Sequence, residues 1–376
     1  MSWTFEKVFY GSRNSLNLTS VREYLRKGYY FVPNTLFESY YRAIVPVGDH
    51  DSIYTRVEKP FPDLLVTQKP KGRFALHLSG GYDSSILAKL YDSPDADYIH
   101  FTGPESSKAR ALAATLKGTL HEIQLTPELF IETADQIVSR LTEPYAYEDV
   151  VYAYIASRKA KELGHTLVVS GDGAGAIWGG VSFTPGPFSR KTLIVWKTLD
   201  PNRLLGLQTL QPYMHSGLYA WAKTTPKPPE PGVDKPFARD FCRQLGMPEI
   251  IAVQRKSPWA GSLGERTNEK MIAHMSAVVD NSDYSWIKQF QFATDVQQGL
   301  LFRQYSLVRW LEANYRKGLS PQEIQEFSRA VRESNGVEER LASATRFKET
   351  VKWYFPPAAL SFARRVMRLA RKPRRK

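Results

Sequence analysis

A strand pattern that ends in glycine, serine and aspartate is the feature that most constrains this chain. Residues 74–85 read FALHLSGGYDSS, so an apolar run stops at Ser79 and is followed by two glycines, one acid and two further serines. Glycine lets the backbone turn tightly and approach a ligand closely. The pattern predicts a buried strand that leads through a ligand-binding turn into a helix.

Strand and helix patterns alternate from about residue 72 to residue 180. The predicted strands are RFALHLS, DYIHFTG, LHEIQL and TLVVSG, and helical patterns separate them. Apolar strands that alternate with helices are typical of a parallel sheet covered on both faces. We therefore predict an α/β fold with flanking helices. Prolines predict loops and broken helices over residues 185–235, and residues 236–345 have a mainly helical pattern.

In a parallel sheet, ligands bind beyond the carboxyl ends of the strands. The first loop, SGGYDSS at residues 79–85, lies at such an end and opens a helix, whose N–H groups and dipole favour an anion. Asp83 would repel a phosphate unless a cation bridged the two, so the loop predicts Mg²⁺ between this carboxylate and phosphate oxygens. The alternative is a plain turn in which Ser84 caps the helix.

A second loop, SGDGAG at residues 170–175, repeats the arrangement of an apolar strand, Ser-Gly, an acid and glycines. Two such loops in one sheet can face each other across a shared cleft, because the carboxyl ends of parallel strands lie along one edge. The repetition strengthens the prediction of a phosphate-binding site.

These stretches resemble the synthetase domain of the asparagine synthetase family, which belongs to the PP-loop ATP pyrophosphatases. The family's first loop reads Ser-Gly-Gly-x-Asp-Ser, as here. The resemblance continues through ESSKARALAATLKGTLHEI (105–123) and EPYAYEDVVYAYIASRKAKELG to KPFARDFCRQLGMPEIIAVQRKSPWAG (235–261). It implies a PP-loop fold, and β-lactam synthetases and lasso-peptide macrolactam cyclases are similar enzymes within this class.

The resemblance implies an ATP-dependent amide ligase of specialised biosynthesis. A carboxylate would be adenylated with release of pyrophosphate, and an amine would then displace AMP. Asp83 is implied as the Mg²⁺ ligand, and Asp172 and Lys256 are implied as catalytic residues. Leu78 and residues 100–103 are implied as the adenine pocket. The implied nucleotide-binding residues are Leu78, Ser79, Gly80, Gly81, Asp83, Ser84, Ser85, Phe101 and Gly171.

Two positions depart from the family pattern. Gly175 stands where the family carries the aspartate that completes its magnesium site, and Ala176 replaces the adjoining glutamate. Asp172 is the only acid left in that loop. Either the metal site is rebuilt with Asp83 and Asp172, or the ATPase is weakened or lost. We expect retained activity because the first loop and Lys256 persist.

The resemblance also divides the chain. Residues 1–70 are predicted to be a truncated remnant of an N-terminal glutaminase-like domain, residues 71–345 the amide-forming domain, and residues 346–376 a basic tail. Glutamine hydrolysis would need a cysteine nucleophile after the initiator methionine. The single cysteine, Cys242, instead falls in a helical pattern typical of a buried residue. We expect no glutaminase activity in this chain.

The net charge of +13 is concentrated in the tail. Residues 364–376 hold eight basic residues and no acid, and the rest of the chain carries about +5. The tail is predicted to be solvated, or to contact an acidic partner or a membrane surface. A single cysteine excludes an internal disulfide, and no long apolar run predicts a membrane span, so we predict a cytoplasmic protein.

The substrates stay open. The carboxylate and the amine are expected to be small molecules or peptides, joined within one molecule or between two. A precursor peptide or a separate ammonia-supplying protein is a possible partner. The alternatives are an amidotransferase subunit for a sugar or polysaccharide, and a non-catalytic nucleotide-binding relative. Only the basic tail favours nucleic acid as a partner, so tRNA modification is the weaker hypothesis.

Overall fold

The structure of the protein is a computed structural model. It describes residues 4–11, 16–27, 40–47, 61–178, 196–215, 217–218, 221, 236–253, 268–290, 299–315, 320–326 and 328–329. The chain divides into two units. The first is formed by residues 1–282 and 298–318, and the second by residues 283–297 and 319–376.

The described strands form two sheets in the first unit. They are β1 (Thr4–Gly11), β2 (Tyr40–Val47), β3 (Phe74–His77), β4 (Ala96–Phe101), β5 (Thr119–Ile123), β6 (Leu167–Val169) and β7 (Gln208–Leu210). β1 and β2 pair in antiparallel fashion, and the other five strands form a parallel sheet in the order β5-β4-β3-β6-β7. All four residues of β3 are buried, so both faces of this central strand are covered.

Helices follow most of the parallel strands. Their bounds are α1 (Leu18–Lys27), α2 (Phe61–Val66), α3 (Tyr82–Leu90), α4 (Ser106–Ala113), α5 (Pro127–Ile137), α6 (Asp149–Glu162), α7 (Ala174–Trp178), α8 (Trp196–Leu205), α9 (Pro236–Gln244), α10 (Glu249–Ala252), α11 (Glu269–Asp280) and α12 (Leu300–Asn314). α3 packs against β3, α4 against β4 and β5, α6 against β3 and β4, and α8 against β7. The predicted α/β fold with a parallel sheet and flanking helices is confirmed.

The last strand of the sheet was not predicted. β7 lies in the proline-rich stretch that predicts only loops and broken helices, and that prediction is wrong for these three residues. β7 forms because β6 offers it a backbone ladder: Gln208 N–H donates to Thr166 O at 2.8 Å, and Ser170 N–H donates to Leu210 O at 2.9 Å. A three-residue strand with no apolar alternation has too weak a pattern to be recognised from sequence.

The amino-terminal helix α1 packs within the first unit. Val21 and Leu25 are fully buried. The Tyr24 hydroxyl donates to Tyr145 O at 2.7 Å, and the Arg303 guanidinium on α12 donates to Leu25 O at 2.8 Å. The helix in the segment predicted to be a glutaminase remnant therefore helps to hold the core around Tyr145.

The second unit is described only in part. A 3₁₀ turn runs over Ser285–Gln289, and the rings of Trp286 and Phe290 lie 6.3 Å apart. Gln289 Nε2 donates to Ser328 Oγ at 3.1 Å. The predicted basic tail lies outside the described residues. Across the part of the chain that the structure describes, no helix has the length and apolar character needed to cross a membrane.

Candidate active site

The first loop joins the carboxyl end of β3 to α3. Gly80 has a φ of +82°, and a Cβ at this position would lie 3.0 Å from Glu105 Cβ and 3.1 Å from Glu105 O. Both the left-handed backbone and the contact with the β4–α4 turn exclude a larger residue without strain. The first glycine of the motif is thus required by the path of the chain.

Two serine hydroxyls close the first loop. The Ser79 N–H donates to Ser84 Oγ at 3.1 Å, and the two hydroxyl oxygens of Ser79 and Ser84 lie 3.0 Å apart. The Gly81 N–H donates to Ser79 Oγ at 3.3 Å. Gly81 is itself the N-cap of α3 and gives the first turn no side-chain cap. The alternative in which Ser84 caps this helix is therefore wrong, and the amide groups of the first turn depend on other partners.

The other two polar residues of the loop lie in different surroundings. Ser85 is fully buried, and its hydroxyl has no hydrogen-bond partner among the described residues. Its side chain therefore lies beneath the loop rather than on its open side. Asp83 is partly exposed in the first turn of α3, and its carbonyl oxygen accepts a hydrogen bond of 2.9 Å from the Tyr213 hydroxyl.

The second loop contacts the first. A Cβ at Gly171 would lie 3.2 Å from Ser84 N and 3.3 Å from Asp83 C. Gly173 has a φ of +90°, and a Cβ there would lie 2.8 Å from the sulfur of Met214. The predicted proximity of the two loops is confirmed, and it depends on glycine at position 171.

The Asp172 carboxylate is bound by the first turn of α8. Its Oδ2 accepts a hydrogen bond of 2.6 Å from the Thr198 hydroxyl, and its Oδ1 lies 3.4 Å from Lys197 Nζ. The Asp172 N–H donates to Ser170 Oγ at 3.2 Å. Both carboxylate oxygens therefore contact groups of the protein.

Lys197 also contacts Asp149 in the first turn of α6. The distance from Lys197 Nζ to Asp149 Oδ2 is 3.0 Å, and the lysine side chain is 17% exposed. Burial by itself lowers the pKa of this lysine, but the carboxylates of Asp149 and Asp172 outweigh it and raise the pKa above its usual value. Sequence reasoning missed both Lys197 and Thr198, and their stretch, KTLIVWKTLD, contains no motif that could have identified them.

The residues implied as the adenine pocket connect the carboxyl ends of β3 and β4 through hydrogen bonds. The side chains of Leu78 and Phe101 are buried. His100 Nδ1 lies 2.8 Å from Leu78 O, and its Nε2 lies 3.0 Å from Ser106 Oγ, which accepts from the Gly103 N–H at 2.9 Å. A carbonyl only accepts, so Nδ1 carries the proton and Nε2 accepts from the Ser106 hydroxyl. Burial lowers the pKa of His100, in keeping with this neutral form.

The residues present fit a bound polyphosphate and a phosphate-bridged Mg²⁺. Two glycines that a Cβ would crowd, Gly80 and Gly171, form the tight turns of the cradle. Magnesium keeps several waters and needs only one or two carboxylates besides substrate phosphates, so Asp83 alone suffices. The described residues contain no group of three His, Cys, Asp or Glu side chains suited to a metal. A Cβ at Gly175 would meet nothing within 4 Å.

Lys256 and the side chain of Ala176 fall outside the described residues. The catalytic role of Lys256 stays a prediction.

Cys242 is fully buried on α9. Burial, and to a lesser extent the Asp83 carboxylate, raises its pKa to about 12. A thiol with this pKa is protonated at neutral pH and is not a nucleophile. The sequence prediction that Cys242 is a buried apolar residue is confirmed.

Comparison with known proteins identifies the part of the chain that carries both loops. Residues 69–228 match the Asparagine synthase family. The chain is also similar to the glutamine-hydrolyzing asparagine synthetase of Zea mays, with 27% identity over 161 residues, and this alignment covers 38% of this chain and 27% of that protein. It is 30% identical over 162 residues to the nodule asparagine synthetase of Pisum sativum, and that alignment covers 37% of this chain and 26% of the relative.

The chain thus spans about a quarter of the length of these curated relatives. Among solved structures, it aligns with an NMN synthetase from Francisella tularensis at 15% identity and a TM-score of 0.30, covering 69% of this chain and 96% of that one. It also aligns with a glutamine-dependent NAD⁺ synthetase from Acinetobacter baumannii, in complex with ADP, at 14% identity and a TM-score of 0.28, covering 76% and 52%. The stretch that matches the Asparagine synthase family includes both loops, Asp149 and Lys197, and ends before Lys256.

Proposed function

We propose that this chain is an ATP-dependent carbon–nitrogen ligase that forms AMP and pyrophosphate. The observation that carries the proposal is the contact of Gly171 with the Asp83–Ser84 backbone. It brings two glycine-containing loops together at the carboxyl edge of a parallel sheet, where such folds bind ligands. Both loops lie within the stretch that matches the Asparagine synthase family.

In the proposed reaction, a carboxylate oxygen of the substrate attacks the α-phosphorus of ATP and pyrophosphate leaves. The amine nitrogen then attacks the acyl carbon of the acyl-adenylate, AMP leaves, and the nitrogen loses a proton. The first loop would hold the pyrophosphate through the amide groups at the start of α3, whose dipole stabilises the charge on the leaving group. The backbone around Leu78 and Phe101 would bind the adenine.

The Asp83 carboxylate would hold a magnesium ion against the polyphosphate. When bound, the ion neutralises charge that builds up on the leaving pyrophosphate. The partly exposed position of Asp83 in the first turn of α3 supports this role. Asp172 would act through the shape of the second loop, since both of its carboxylate oxygens are engaged by α8.

The amine would come from a substrate or a partner protein rather than from glutamine hydrolysed by this chain. The buried thiol of Cys242 supports this part of the proposal, because its raised pKa makes it a poor nucleophile. The proposed role in specialised biosynthesis rests on the sequence resemblance.

The test is the product pattern from ATP. The protein is incubated with Mg²⁺, α-labelled ATP and a panel of amino acids, peptides and sugar acids with and without ammonium, and the nucleotide products are separated. We expect AMP and pyrophosphate. Asp83→Asn should lower turnover by roughly two or more orders of magnitude, because it removes the charge that holds the metal, and should leave the melting temperature unchanged.

Asp63→Asn is the matched control, since Asp63 is an exposed acid at the start of another helix, α2. It should behave like the wild type. Formation of ADP and phosphate would refute the proposed mechanism. ATP binding without turnover by any member of the panel would favour the non-catalytic relative instead.

A further inference from the structure

Two neighbouring side chains in the first turn of α8 bind the second loop. Thr198 donates to one carboxylate oxygen of Asp172, and Lys197 pairs with the other. Thr198 also lies 3.4 Å from Ser170 through the two hydroxyl oxygens. Both ends of this short turn are therefore fixed to α8, and Asp172 is its main attachment.

Lys197 extends this attachment to a third element. Its ammonium lies between Asp172 and Asp149 at the start of α6, and α6 and α8 pack against each other. The carboxylates of Asp149 and Asp172 are 21% and 9% exposed, so solvent screens the bridge only weakly. One buried cation thus joins two carboxylates that would otherwise repel each other across a region of low dielectric constant.

The effect of this cation reaches the strand that carries the first loop. His77 at the end of β3 is buried, and its Nε2 lies 3.1 Å from the Ser157 hydroxyl on α6. Its pKa is lowered to about 3, first by burial and then by the charge of Lys197. The ammonium is therefore close enough to act on the residue two positions before Ser79, and Gly171 of the second loop touches the Asp83–Ser84 backbone.

We propose that Lys197 is a positioning residue of the nucleotide site. It bridges Asp149 and Asp172 and so holds the second loop against the first, as a fixed cation of the protein and not a metal ion. Asp172 is then a structural anchor and not a magnesium ligand, so this proposal differs from the metal site of Asp83 and Asp172 considered in the sequence analysis. The part of the proposal that concerns nucleotide binding rests on the proposed function, whereas the bridge itself does not.

The bridge is tested without nucleotide by hydrogen exchange. Lys197→Met keeps the length of the side chain and removes its charge. We expect amides in residues 79–85 and 170–173 to exchange at least about tenfold faster, because the loops separate more often, while peptides over β5 keep the wild-type rate. Lys197→Arg should restore most of the protection. Equal acceleration everywhere would mean a general loss of stability and would overturn the proposal.

Lys270→Met is the matched control. Lys270 pairs with Glu128, but both side chains are about 60% exposed and lie far from the loops in the chain. This variant should not change exchange in either loop. If Lys270→Met and Lys197→Met give the same exchange pattern, the buried bridge has no special role.

A double-mutant cycle tests whether Lys197 acts through Asp172. If it does, Lys197→Met combined with Asp172→Asn should accelerate loop exchange no more than the more severe single variant, whereas independent effects would multiply. With ATP as the probe, Lys197→Met should raise the KM or Kd for ATP about tenfold and change kcat by less than about threefold, because Lys197 positions the loop and does not touch the reacting atoms.

The two proposals fail in different ways. A wild-type protein that neither binds nor turns over ATP refutes the proposed function, yet the exchange experiment still decides on the bridge. The assignment of Lys197 as a positioning residue would be overturned if the effects of the two substitutions on loop exchange rates multiply in the double variant. A lowered kcat with unchanged KM in Lys197→Met would also overturn it. An unchanged exchange rate in Lys197→Met would do the same.

Discussion

Each end of the parallel sheet carries a carboxylate that has partners on both oxygens, one on a strand and one in a loop. Towards the amino ends of the strands, the two oxygens of Asp97 on β4 each lie 2.7 Å from a histidine Nε2, one from His121 on β5 and one from His165 before β6. At the carboxyl ends, Asp172 is bound in the same two-sided manner by Lys197 and Thr198. A carboxylate with partners on both oxygens therefore does not by itself mark a functional site.

The glycines that flank β3 and β6 differ between the two ends of these strands. Gly72 and Gly164 precede β3 and β6 with positive φ angles, but a Cβ at Gly72 would meet nothing within 4 Å and one at Gly164 would only approach Arg73 at 3.9 Å. Gly80 and Gly173 follow the same strands, and a Cβ there would meet neighbours at 3.0 and 2.8 Å. On either side of β3 and β6, therefore, the preceding glycine serves only the turn, whereas the following glycine also lets loops pack closely around the candidate site.

The largest expected effect comes from forcing the two loops apart. Gly171→Val places a branched side chain where even a Cβ would lie 3.2 Å from Ser84 N. We expect ATP turnover to fall about 100-fold, because displacing a binding loop by about 1 Å has effects of this size. Steady-state kinetics with ATP would measure it.

Gly175→Val serves as the control for that substitution, since a Cβ at Gly175 meets nothing within 4 Å. Its turnover should stay within a few-fold of the wild type. Equal losses in the two variants would show that contact between the loops is unimportant.

The next effect is on stability, at the other end of the sheet. Burial by itself raises the pKa of Asp97, but hydrogen bonds from His121 and His165 outweigh it, so the pKa lies below its usual value. Asp97→Asn should lower the free energy of unfolding by about 2 kcal/mol at neutral pH, because bonds to a charged group are lost. ATP binding should stay unchanged.

The pH dependence of that difference follows from the direction of the pKa shift. A carboxyl whose pKa is lowered by folding stabilises the protein above its unfolded pKa of about 3.9 and loses this contribution as pH falls through the folded value. Urea unfolding of both proteins should therefore give a full difference above about pH 5 that shrinks below about pH 4. A constant difference from pH 7 to pH 3 would contradict this account of Asp97.

A smaller effect is expected at the carboxyl end of β4. His100→Phe removes the hydrogen bonds that the two ring nitrogens make with Leu78 O and the Ser106 hydroxyl, so the turn after β4 loses its attachment to the end of β3. We expect the KM for ATP to rise about tenfold with little change in kcat, the size expected for one lost hydrogen-bond network. His100→Gln should show the same raised KM, because a glutamine side chain cannot reach both Leu78 O and the Ser106 hydroxyl as the two ring nitrogens do. A lower kcat at unchanged KM would argue against a role in nucleotide binding.

The smallest effect concerns the uncrowded last position of the second loop. Gly175→Asp should be tolerated, since a Cβ there meets nothing within 4 Å, and should lower the magnesium concentration needed for half-maximal ATP binding by a few-fold. A second carboxylate would then replace a neutral water near the ion. Magnesium titrations of ATP binding to the wild type and the variant would measure it, and flat curves for both would contradict a metal-dependent site.

The sequence by itself determined the features whose causes are local. The strand and helix patterns of residues 72–180 predict β3 to β6, and the Ser-Gly-Gly-x-Asp-Ser run predicts the first loop, because tight turns need glycine whatever surrounds them. It also predicted that Cys242 is buried. β7 was missed because its three residues show no apolar alternation and form a strand only through backbone hydrogen bonds to β6.

The tertiary structure decided how the polar residues are used. Thr198 and Asp172 are 26 residues apart in the chain, and Lys197 and Asp149 are 48 apart, so no spacing rule connects them. Lysine and aspartate are common on protein surfaces, and the packing of α6 against α8 brings these side chains together in a largely water-shielded position and makes them partners. Ser85 is the opposite case. It belongs to the sequence motif of the first loop, but its position on the helix buries its hydroxyl in the core. A local pattern fixes backbone shape, whereas the partners of a charge depend on which distant elements the fold brings together.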